Sequence, residues 1–348
     1  MDKLQQVLVQ YWGYSRFRPL QQEIIQSVND GHDVMALMPT GGGKSICFQV
    51  PGMMRDGLTL VISPLIALMK DQVNSLNQKN IAATAIHSAI GFHEVEKIVD
   101  DAFSGKIKFL YSSPERLMSE KFKSQLSGMP VHLIAIDEAH CISQWGYDFR
   151  PPYLQIASLR QIFPKANFLA LTATATPDVV TDIMQKLEFR RGKVFQKSFL
   201  RKNISYSVLF EEDKHNRMLR MLKKVEGPSI VYTRNRKRAE DLAEFLKANN
   251  FNATYYHAGL NANDRNYRQD QWIKNEVRTM VCTNAFGMGI DKPDVRLVVH
   301  YDLPDSPENY FQEAGRAGRD ETKSFAVMMY NNADLLDLDK RETENFPS

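Results

Sequence analysis

The chain has 348 residues, of which 43% are hydrophobic and 24% are charged, and its formal net charge is +3 at pH 7. At about 150 residues per domain, this length indicates slightly more than two domains, and the composition excludes a disordered chain and a single small module. The longest apolar run, at 58–69, is interrupted by Thr59, Ser63 and Pro64 and is too short for a membrane span, whereas the nearly balanced charge neither indicates nor excludes nucleic acid as a partner.

Short β-branched or apolar runs alternate with longer stretches of helical period, a pattern typical of parallel sheets flanked by helices. In the first part of the chain, strands are predicted at 34–38, 58–63, 107–112, 133–136 and 168–172. In the second part, strands are predicted at 229–233, 254–256, 279–283, 297–301 and 325–330, with a helix at 236–249. The pattern therefore predicts an α/β fold with two tandem domains, 1–200 and 201–348.

A glycine-rich segment follows the first predicted strand. The candidate phosphate-loop residues are Thr40, Gly41, Gly42, Gly43, Lys44 and Ser45. Glycines let backbone N–H groups face phosphates, and the start of the following helix adds its dipole. The motif predicts that Lys44 neutralises the β and γ phosphates and that Ser45 ligates magnesium. The strict pattern has glycine where this chain has Met38, so a plain glycine-rich connection is the alternative for this segment alone.

Two carboxylates follow the predicted strand at 133–136. Asp137 and Glu138 are expected at the carboxyl end of that strand, where ligands bind in open α/β sheets. Asp137 can hold magnesium, directly or through water, and Glu138 can act as the general base on the attacking water. An acidic pair alone can equally be a solvated cap, but together with a phosphate loop it predicts nucleotide hydrolysis.

Four segments, at 40–45, 137–140, 172–174 and 312–320, together resemble the core of superfamily 2 helicases. More narrowly, residues 17–22 and 137–151 resemble the RecQ family of DNA helicases. The resemblance implies two tandem RecA-like domains that use ATP and Mg²⁺, with 3′ to 5′ unwinding in repair or recombination. It also implies single-stranded and partly duplex DNA as partners, and it names no protein partner. The implied catalytic residues are Lys44, Asp137, Glu138, Gln312, Arg316 and Arg319.

The resemblance assigns roles to further residues. An adenine-recognition motif corresponds to Tyr14, Arg18 and Gln21, which offer an aromatic face, a cation and an amide. Coupling between the domains is assigned to His140, Thr172 and Thr174. The implied DNA contacts are Ser63, Pro64, Ser113, Arg116, Trp145, Phe149, Arg150 and Thr283. Arg319 is assigned as the arginine finger on the transferring phosphoryl group, with Arg316 as its support.

Aromatic residues are dense in the segment at 141–150, which contains Trp145, Tyr147 and Phe149. Stacking of bases on such rings is worth ~1–3 kcal/mol per base, enough to hold a single strand. A hydrophobic plug is the alternative interpretation. The family usually has histidine where this chain has Tyr147, so no role of an imidazole is carried over to that position.

Three cysteines, Cys47, Cys141 and Cys282, are far apart in the sequence and form no CxxC pair. We expect them to be small buried residues, and we expect no zinc. RecQ proteins usually continue into a four-cysteine zinc subdomain and a winged helix, neither of which is readable here. Two alternatives remain open: the chain is a trimmed family member, or it is a naturally short one.

Two other functions compete with a DNA helicase. An RNA-directed ATPase of the same superfamily is disfavoured by the aromatic-rich segment. A nucleotide-gated module that binds DNA without turnover is disfavoured by the presence of both Glu138 and Arg319. Residues 1–6 lack the apolar stretch of a secretory signal, so a cytoplasmic location is expected, nucleoid-associated if the source is bacterial.

Overall fold

The computed structural model describes residues 2–39, 41–87, 89–144, 148–198, 200–287 and 292–345, with no side chains beyond residue 340. The chain divides into two compact units, Met1–Phe199 and Leu200–Ser348. The sequence pattern places the boundary one residue later, between residues 200 and 201. Across the described ranges, no helix combines the length and the apolar character that a membrane crossing requires.

The first unit is a parallel sheet flanked by helices. Its strands are β1 (Val34–Leu37), β2 (Leu58–Ile62), β3 (Ala83–Ile86), β4 (Phe109–Ser112), β5 (Val131–Ile136), β6 (Asn167–Thr172) and β7 (Lys193–Gln196). Its α-helices are α1 (Lys3–Trp12), α2 (Gln21–Asn29), α3 (Ile46–Met54), α4 (Ile66–Asn77), α5 (Phe92–Phe103), α6 (Glu120–Leu126), α7 (Leu159–Ile162) and α8 (Pro177–Lys186). Short 3-10 segments lie at Pro114–Met118, Ala139–Ile142 and Pro151–Ser158.

The strand order in this sheet is β3-β4-β2-β5-β6-β1-β7, and every registered pair is parallel. Successive side chains of a strand point to opposite faces, so each face builds its own core. Leu60 and Ile134 belong to one hydrophobic cluster, whereas their neighbours Val61 and Ala135 belong to the other. The central strands are therefore apolar on both faces, as expected where helices cover both sides of a parallel sheet.

The second unit repeats this architecture. Its strands are β8 (Ile204–Phe210), β9 (Ser229–Tyr232), β10 (Ala253–Tyr256), β11 (Thr279–Cys282), β12 (Leu297–His300) and β13 (Ser324–Tyr330), in the order β10-β11-β9-β12-β13-β8. Its helices are α9 (Lys214–Lys224), α10 (Arg236–Ala248), α11 (Ala262–Ile273), α12 (Pro307–Ala314) and α13 (Asn332–Asn345). The predicted fold class, two tandem α/β domains with parallel sheets, is confirmed.

Three strands are absent from the prediction: β3, β7 and β8. All three lie at sheet edges, where one side of the strand has no neighbour. Strand β7 is mostly exposed, and in β8 only Ile204 is buried, so neither strand forms a buried run. An edge strand needs less apolar sequence than a central one, so the search for apolar runs missed them.

A buried ion pair holds the first unit together at the amino ends of β1 and β6. Asp33 Oδ2 accepts a hydrogen bond from Arg160 Nη2 at 2.6 Å, and Oδ1 accepts from the Phe168 backbone N at 2.7 Å. The Arg160 guanidinium also lies over the Phe168 ring, 3.8 Å from its centroid. The two charged side chains are only 2% and 3% exposed.

Replacing Asp33 with alanine is expected to lower the free energy of unfolding of the first unit by about 3–5 kcal/mol, because Arg160 would be left buried without its charge partner. Urea unfolding followed by circular dichroism measures the loss. The matched control is Lys106→Ala, which breaks the exposed Lys106–Asp101 pair and should change stability little. An equal, small change in both variants would show that the buried pair does not anchor the sheet.

Candidate functional site

The carboxyl ends of the parallel strands of the first unit carry most of its predicted site residues. The candidate phosphate loop follows β1, Ser63 follows β2, Ser113 follows β4 and Asp137 follows β5, while Thr174 lies two residues after the end of β6. Since parallel strands end at the same edge of a sheet, this topology collects the candidates on one side of the unit.

The phosphate loop connects β1 to the start of α3. Gly43 has a φ of +78°, and a Cβ atom at this position would lie 2.4 Å from Gln21 Nε2. Both the left-handed backbone and the close contact favour glycine here. Lys44 and Ser45 follow at the entrance to α3, with Ser45 at its N-cap position. Thr40 lies outside the described residues.

Two of the three predicted adenine-recognition residues bind this loop. Gln21 Nε2 donates to the Gly43 carbonyl at 2.9 Å, and Arg18 Nη1 donates to the Gly41 carbonyl. The Arg18 backbone N in turn donates to Gln21 Oε1 at 2.8 Å. Tyr14 is 55% exposed, which leaves a ring face open for stacking. Arg18 and Gln21 thus hold the loop backbone, a role that their sequence pattern did not indicate.

Lys44, Asp137 and Glu138 lie close together. Lys44 Nζ lies 3.6 Å from Glu138 Oε1. Asp137 Oδ1 accepts from the Glu138 backbone N at 3.0 Å, and the buried Tyr153 hydroxyl donates to the Asp137 carbonyl at 2.9 Å. Glu138 has a φ of +49°, a left-handed conformation that costs a non-glycine residue about 1–3 kcal/mol and is concentrated at functional sites.

The oxygen donors of Asp137 and Ser45 are of the type that suits magnesium. Burial, and then the neighbouring Glu138 carboxylate, raise the pKa of Asp137. A divalent cation would relieve this unfavourable charge, and the carboxylate of Asp137 and the hydroxyl of Ser45 are the oxygen ligands that Mg²⁺ prefers.

Gln72 on α4 orients the Ser45 hydroxyl, and sequence reasoning missed it. Gln72 Nε2 donates to Ser45 Oγ at 3.1 Å, while Gln72 Oε1 accepts from Gln49 Nε2 at 3.0 Å. Because Gln49 occupies the carbonyl end of the Gln72 amide, the NH₂ end faces Ser45. Ser45 Oγ keeps a second lone pair for a metal ion.

We expect Gln72→Leu to raise the Mg²⁺ concentration needed for half-maximal ATP turnover, since Ser45 would lose the group that orients it. The increase should be about 10-fold or more, as for other residues that orient metal ligands. A Mg²⁺ titration of phosphate release measures it, with Gln78→Leu, at the exposed end of α4, as control. An unchanged Mg²⁺ requirement would contradict this role.

The predicted coupling residues form one buried network. His140 Nδ1 lies 2.8 Å from Thr172 Oγ1 and 3.4 Å from Glu138 Oε2. Thr172 Oγ1 also contacts the Thr174 carbonyl oxygen at 3.2 Å. Burial lowers the pKa of His140, so the ring is neutral near pH 7. The Glu138 carboxylate can only accept, which assigns the ring proton to Nδ1.

The candidate DNA contacts of the first unit differ in their surroundings. The Ser63 and Ser113 hydroxyls are buried and have no hydrogen-bond partner among the described residues. Arg116 donates to the carbonyls of His87, at 2.6 and 3.1 Å, and Ile90, at 2.8 Å, and so holds the segment that precedes α5.

The aromatic-rich segment is only partly described. Arg150 donates to Asp148 Oδ2 through Nη2 at 3.1 Å and Nε at 3.3 Å, and to the carbonyl of Pro64, also a predicted DNA contact, at 3.4 Å. Phe149 is half-buried. Trp145 and Tyr147 lie outside the described residues, so their roles stay predictions. Sequence reasoning gave Asp148 no role, although it is the ion-pair partner of Arg150.

In the second unit, the two candidate arginines have different environments. Arg316 is 7% exposed and donates through Nη1 to the Gly287 carbonyl. Arg319 and Gln312 are half-buried. Thr283, at the carboxyl end of β11, is buried, and its Oγ1 accepts from the Ala285 backbone N at 3.4 Å.

Two further groups support the arginine segment and were missed. Arg201 donates to the carbonyls of Ala317 at 3.1 Å and Gly318 at 2.6 Å. His300 Nε2 lies 2.9 Å from Glu313 Oε2 on α12, and both groups line a small pocket in this unit. These contacts link residues far apart in the chain, so no local motif could reveal them.

Comparison with known families and structures agrees with this geometry. Residues 18–183 match the family described as DEAD/DEAH box helicase, and residues 213–321 match the helicase conserved C-terminal domain. The helicase Lhr of Mycobacterium smegmatis, solved with ssDNA and AMP-PNP, superposes with a TM-score of 0.76 at 18% identity, covering 99% of this chain and 50% of that one. At this identity the likeness shows the fold alone.

Two curated relatives are much closer in sequence. The probable ATP-dependent DNA helicase RecS of Bacillus subtilis is 43% identical over 94% of this chain and 67% of its own length. The ATP-dependent DNA helicase RecQ of Pasteurella multocida is 44% identical over 96% of this chain and 53% of its own length. The chain thus spans between about half and two thirds of these relatives. Its near-complete alignment with them, together with both helicase domains, shows that the chain belongs to the RecQ family of ATP-dependent DNA helicases.

Proposed function

We propose that the chain is an ATP-dependent 3′ to 5′ DNA helicase motor, which hydrolyses ATP to move along single-stranded DNA and to unwind duplex DNA in repair or recombination. One observation carries the proposal: Lys44 of a phosphate loop lies 3.6 Å from Glu138, beside the half-buried Asp137. The names of both curated relatives, which describe ATP-dependent DNA helicases, support the choice of reaction and substrate.

Different residues of the first unit bind the phosphates, hold the metal ion and accept the proton. Lys44 and the loop N–H groups bind the phosphates, while Ser45 and Asp137 hold Mg²⁺. The ion supplies positive charge that stabilises the phosphoryl oxygens. When Lys44 moves to the phosphates it leaves Glu138, whose carboxylate then accepts the proton of the attacking water.

We expect the buried network to transmit DNA binding to the ATP site. Glu138 contacts His140, and Cys141 directly follows His140 at the start of the aromatic-rich segment. The Arg150 backbone N donates to the Cys141 carbonyl at 2.8 Å, which closes that segment on itself. A strand bound at Phe149 and Arg150 can therefore shift His140 and, through it, Glu138. This arrangement favours DNA-stimulated hydrolysis over simple DNA binding.

Replacing both Trp145 and Phe149 with alanine is expected to remove the DNA stimulation of ATP hydrolysis and to change the DNA-free rate much less. The rings would stack on bases, each contact worth ~1–3 kcal/mol, and take no part in phosphate binding. Phosphate release with and without single-stranded DNA measures both rates. Phe103→Ala removes an exposed ring at the end of α5 and is the control. Stimulation that survives the double replacement would exclude these rings as the DNA sensor.

Strand-displacement assays test the full proposal. With ATP and Mg²⁺, a duplex with a 3′ single-stranded tail should be unwound in preference to one with a 5′ tail. Preference for the 5′ tail would overturn the polarity. Efficient unwinding of an RNA duplex would favour the RNA-directed alternative, and DNA binding without phosphate release would favour the nucleotide-gated module.

A further inference from the structure

A cluster of three different donor atoms lies where His140 meets the aromatic-rich segment at 141–150. One ligand atom each from His140, Cys141 and Asp148 falls within 4.8 Å of the other two. Cys141 Sγ lies 3.7 Å from His140 Nε2 and 3.7 Å from Asp148 Oδ2. His140 and Cys141 are fully buried, and Asp148 is half-buried.

The surroundings of His140 orient its ring toward the sulfur. Its Nδ1 side faces the Thr172 hydroxyl at 2.8 Å and the Glu138 carboxylate at 3.4 Å, which places the ring proton there. The Nε2 lone pair therefore points to the Cys141 side. Histidines that ligate metal ions show this arrangement, with one nitrogen on the metal and the other donating to a carboxylate or another oxygen.

The thiol cannot satisfy both of its neighbours. Cys141 carries a single S–H proton, whereas His140 Nε2 and Asp148 Oδ2 are both acceptors at the same 3.7 Å distance. A cation in place of that proton could interact with all three atoms. In a tetrahedral zinc site, neighbouring ligand atoms are roughly 3.5 Å apart. The two distances from the sulfur are close to this value, and the third pair of ligand atoms lies within 4.8 Å.

From this geometry we infer that His140, Cys141 and Asp148 form a binding site for a soft divalent cation of the zinc and cadmium class. Nitrogen, sulfur and carboxylate donors select such ions over Mg²⁺, which prefers oxygen ligands alone. The thiol proton is lost to solvent as the sulfur–metal bond forms, and water completes the coordination. The site differs from the cysteine pairs that sequence patterns reveal, because its donors come from adjacent residues and a loop.

A cation bound at this site would separate Arg150, a predicted DNA contact, from Asp148. Asp148 Oδ2 accepts from Arg150 Nη2 and Nε, at 3.1 and 3.3 Å, so a cation on this oxygen displaces the guanidinium. The ion would also fix His140 to the aromatic-rich segment. This regulatory consequence rests on the proposed function: the cation should suppress DNA stimulation of the ATPase more than the DNA-free rate. Binding itself does not rest on it.

Cadmium titration of the whole chain tests the site directly, since a cadmium–thiolate bond gives a charge-transfer absorption in the ultraviolet. The absorption should rise to saturation at one Cd²⁺ per chain in the wild type, in Cys47→Ser and in Cys282→Ser. It should be missing in Cys141→Ser. Cys47 and Cys282 are equally buried, so they are matched controls. No absorption in the wild type, or its persistence in Cys141→Ser, would overturn the site.

Asp148→Asn provides a second variant, should Cys141→Ser fail to fold. It removes the carboxylate charge with little change in size and should weaken Cd²⁺ binding about 10-fold or more. Unchanged affinity would overturn the three-donor assignment.

The expected loss of DNA stimulation is tested by measuring phosphate release with and without DNA, before and after Zn²⁺ is added. Retained stimulation in metal-saturated protein would overturn the regulatory role, whereas missing stimulation in metal-free protein would contradict the proposed function instead.

Discussion

Replacing Glu138 with glutamine is expected to lower ATP turnover by about 10²–10⁴-fold, because the amide keeps the size and shape of the carboxylate but cannot accept a proton. ATP binding should be preserved or slightly tighter. Lys44 lies 3.6 Å from Glu138 Oε1, and loss of the negative charge frees this lysine for the phosphates. Steady-state phosphate release and titration with a fluorescent ATP analogue measure the two effects separately.

Glu120→Gln is the control for this experiment. The exposed Glu120 lies on α6 of the same unit and pairs with Lys123, so its replacement should leave both turnover and binding unchanged. If nucleotide binding by Glu138→Gln fell as far as turnover, Glu138 would be a structural or metal-binding residue and the general-base role would be wrong.

Arg319→Ala should lower the turnover of ATP by ~10³-fold with a much smaller change in ATP affinity, if its guanidinium stabilises the transferring phosphoryl group as arginine fingers do. Of the two candidate arginines, Arg319 is the more exposed. Arg316 is buried and bound to the Gly287 carbonyl, which suits a supporting role. Single-turnover hydrolysis, measured with the protein in saturating excess over ATP, isolates the chemical step.

Arg316→Ala is the informative comparison. Because it removes a buried hydrogen-bonded cation, we expect a lower melting temperature of the second unit in addition to any loss of turnover. The assignment would be reversed by a larger loss of turnover in Arg316→Ala at unchanged melting temperature, with Arg319→Ala close to the wild type.

The parts of the fold that could be predicted are those with the strongest sequence signals. Central strands such as β2 and β5 are apolar on both faces and were recognised as continuous runs. The edge strands β7 and β8 bury less apolar surface than the central strands, and the sequence pattern did not reveal them. Their pairing with β1 and β13 depends on long-range contacts, which local periodicity does not contain.

The candidate site, like the fold, could be predicted from the sequence only in part. Lys44, Asp137 and Glu138 could be grouped because each follows a recognisable strand, and such strands end at one edge of the sheet. Gln72 could not be found in this way, since it sits within α4 and reaches Ser45 from another element. The role of Gln21 in holding Gly43 was equally hidden, because a motif identifies a side chain but not its partner.

One measurement tests most directly the claim that DNA binding stimulates ATP hydrolysis. Phosphate release by the wild-type chain is measured without nucleic acid, with single-stranded DNA and with RNA of matched length and sequence. Lys44→Ala, which removes the lysine proposed to bind the phosphates, gives the background rate. ATP hydrolysis should depend on Lys44, should rise strongly with single-stranded DNA and should rise less with RNA. Hydrolysis that is indifferent to DNA, or that persists in Lys44→Ala, would contradict a motor in which strand binding acts on the ATP site.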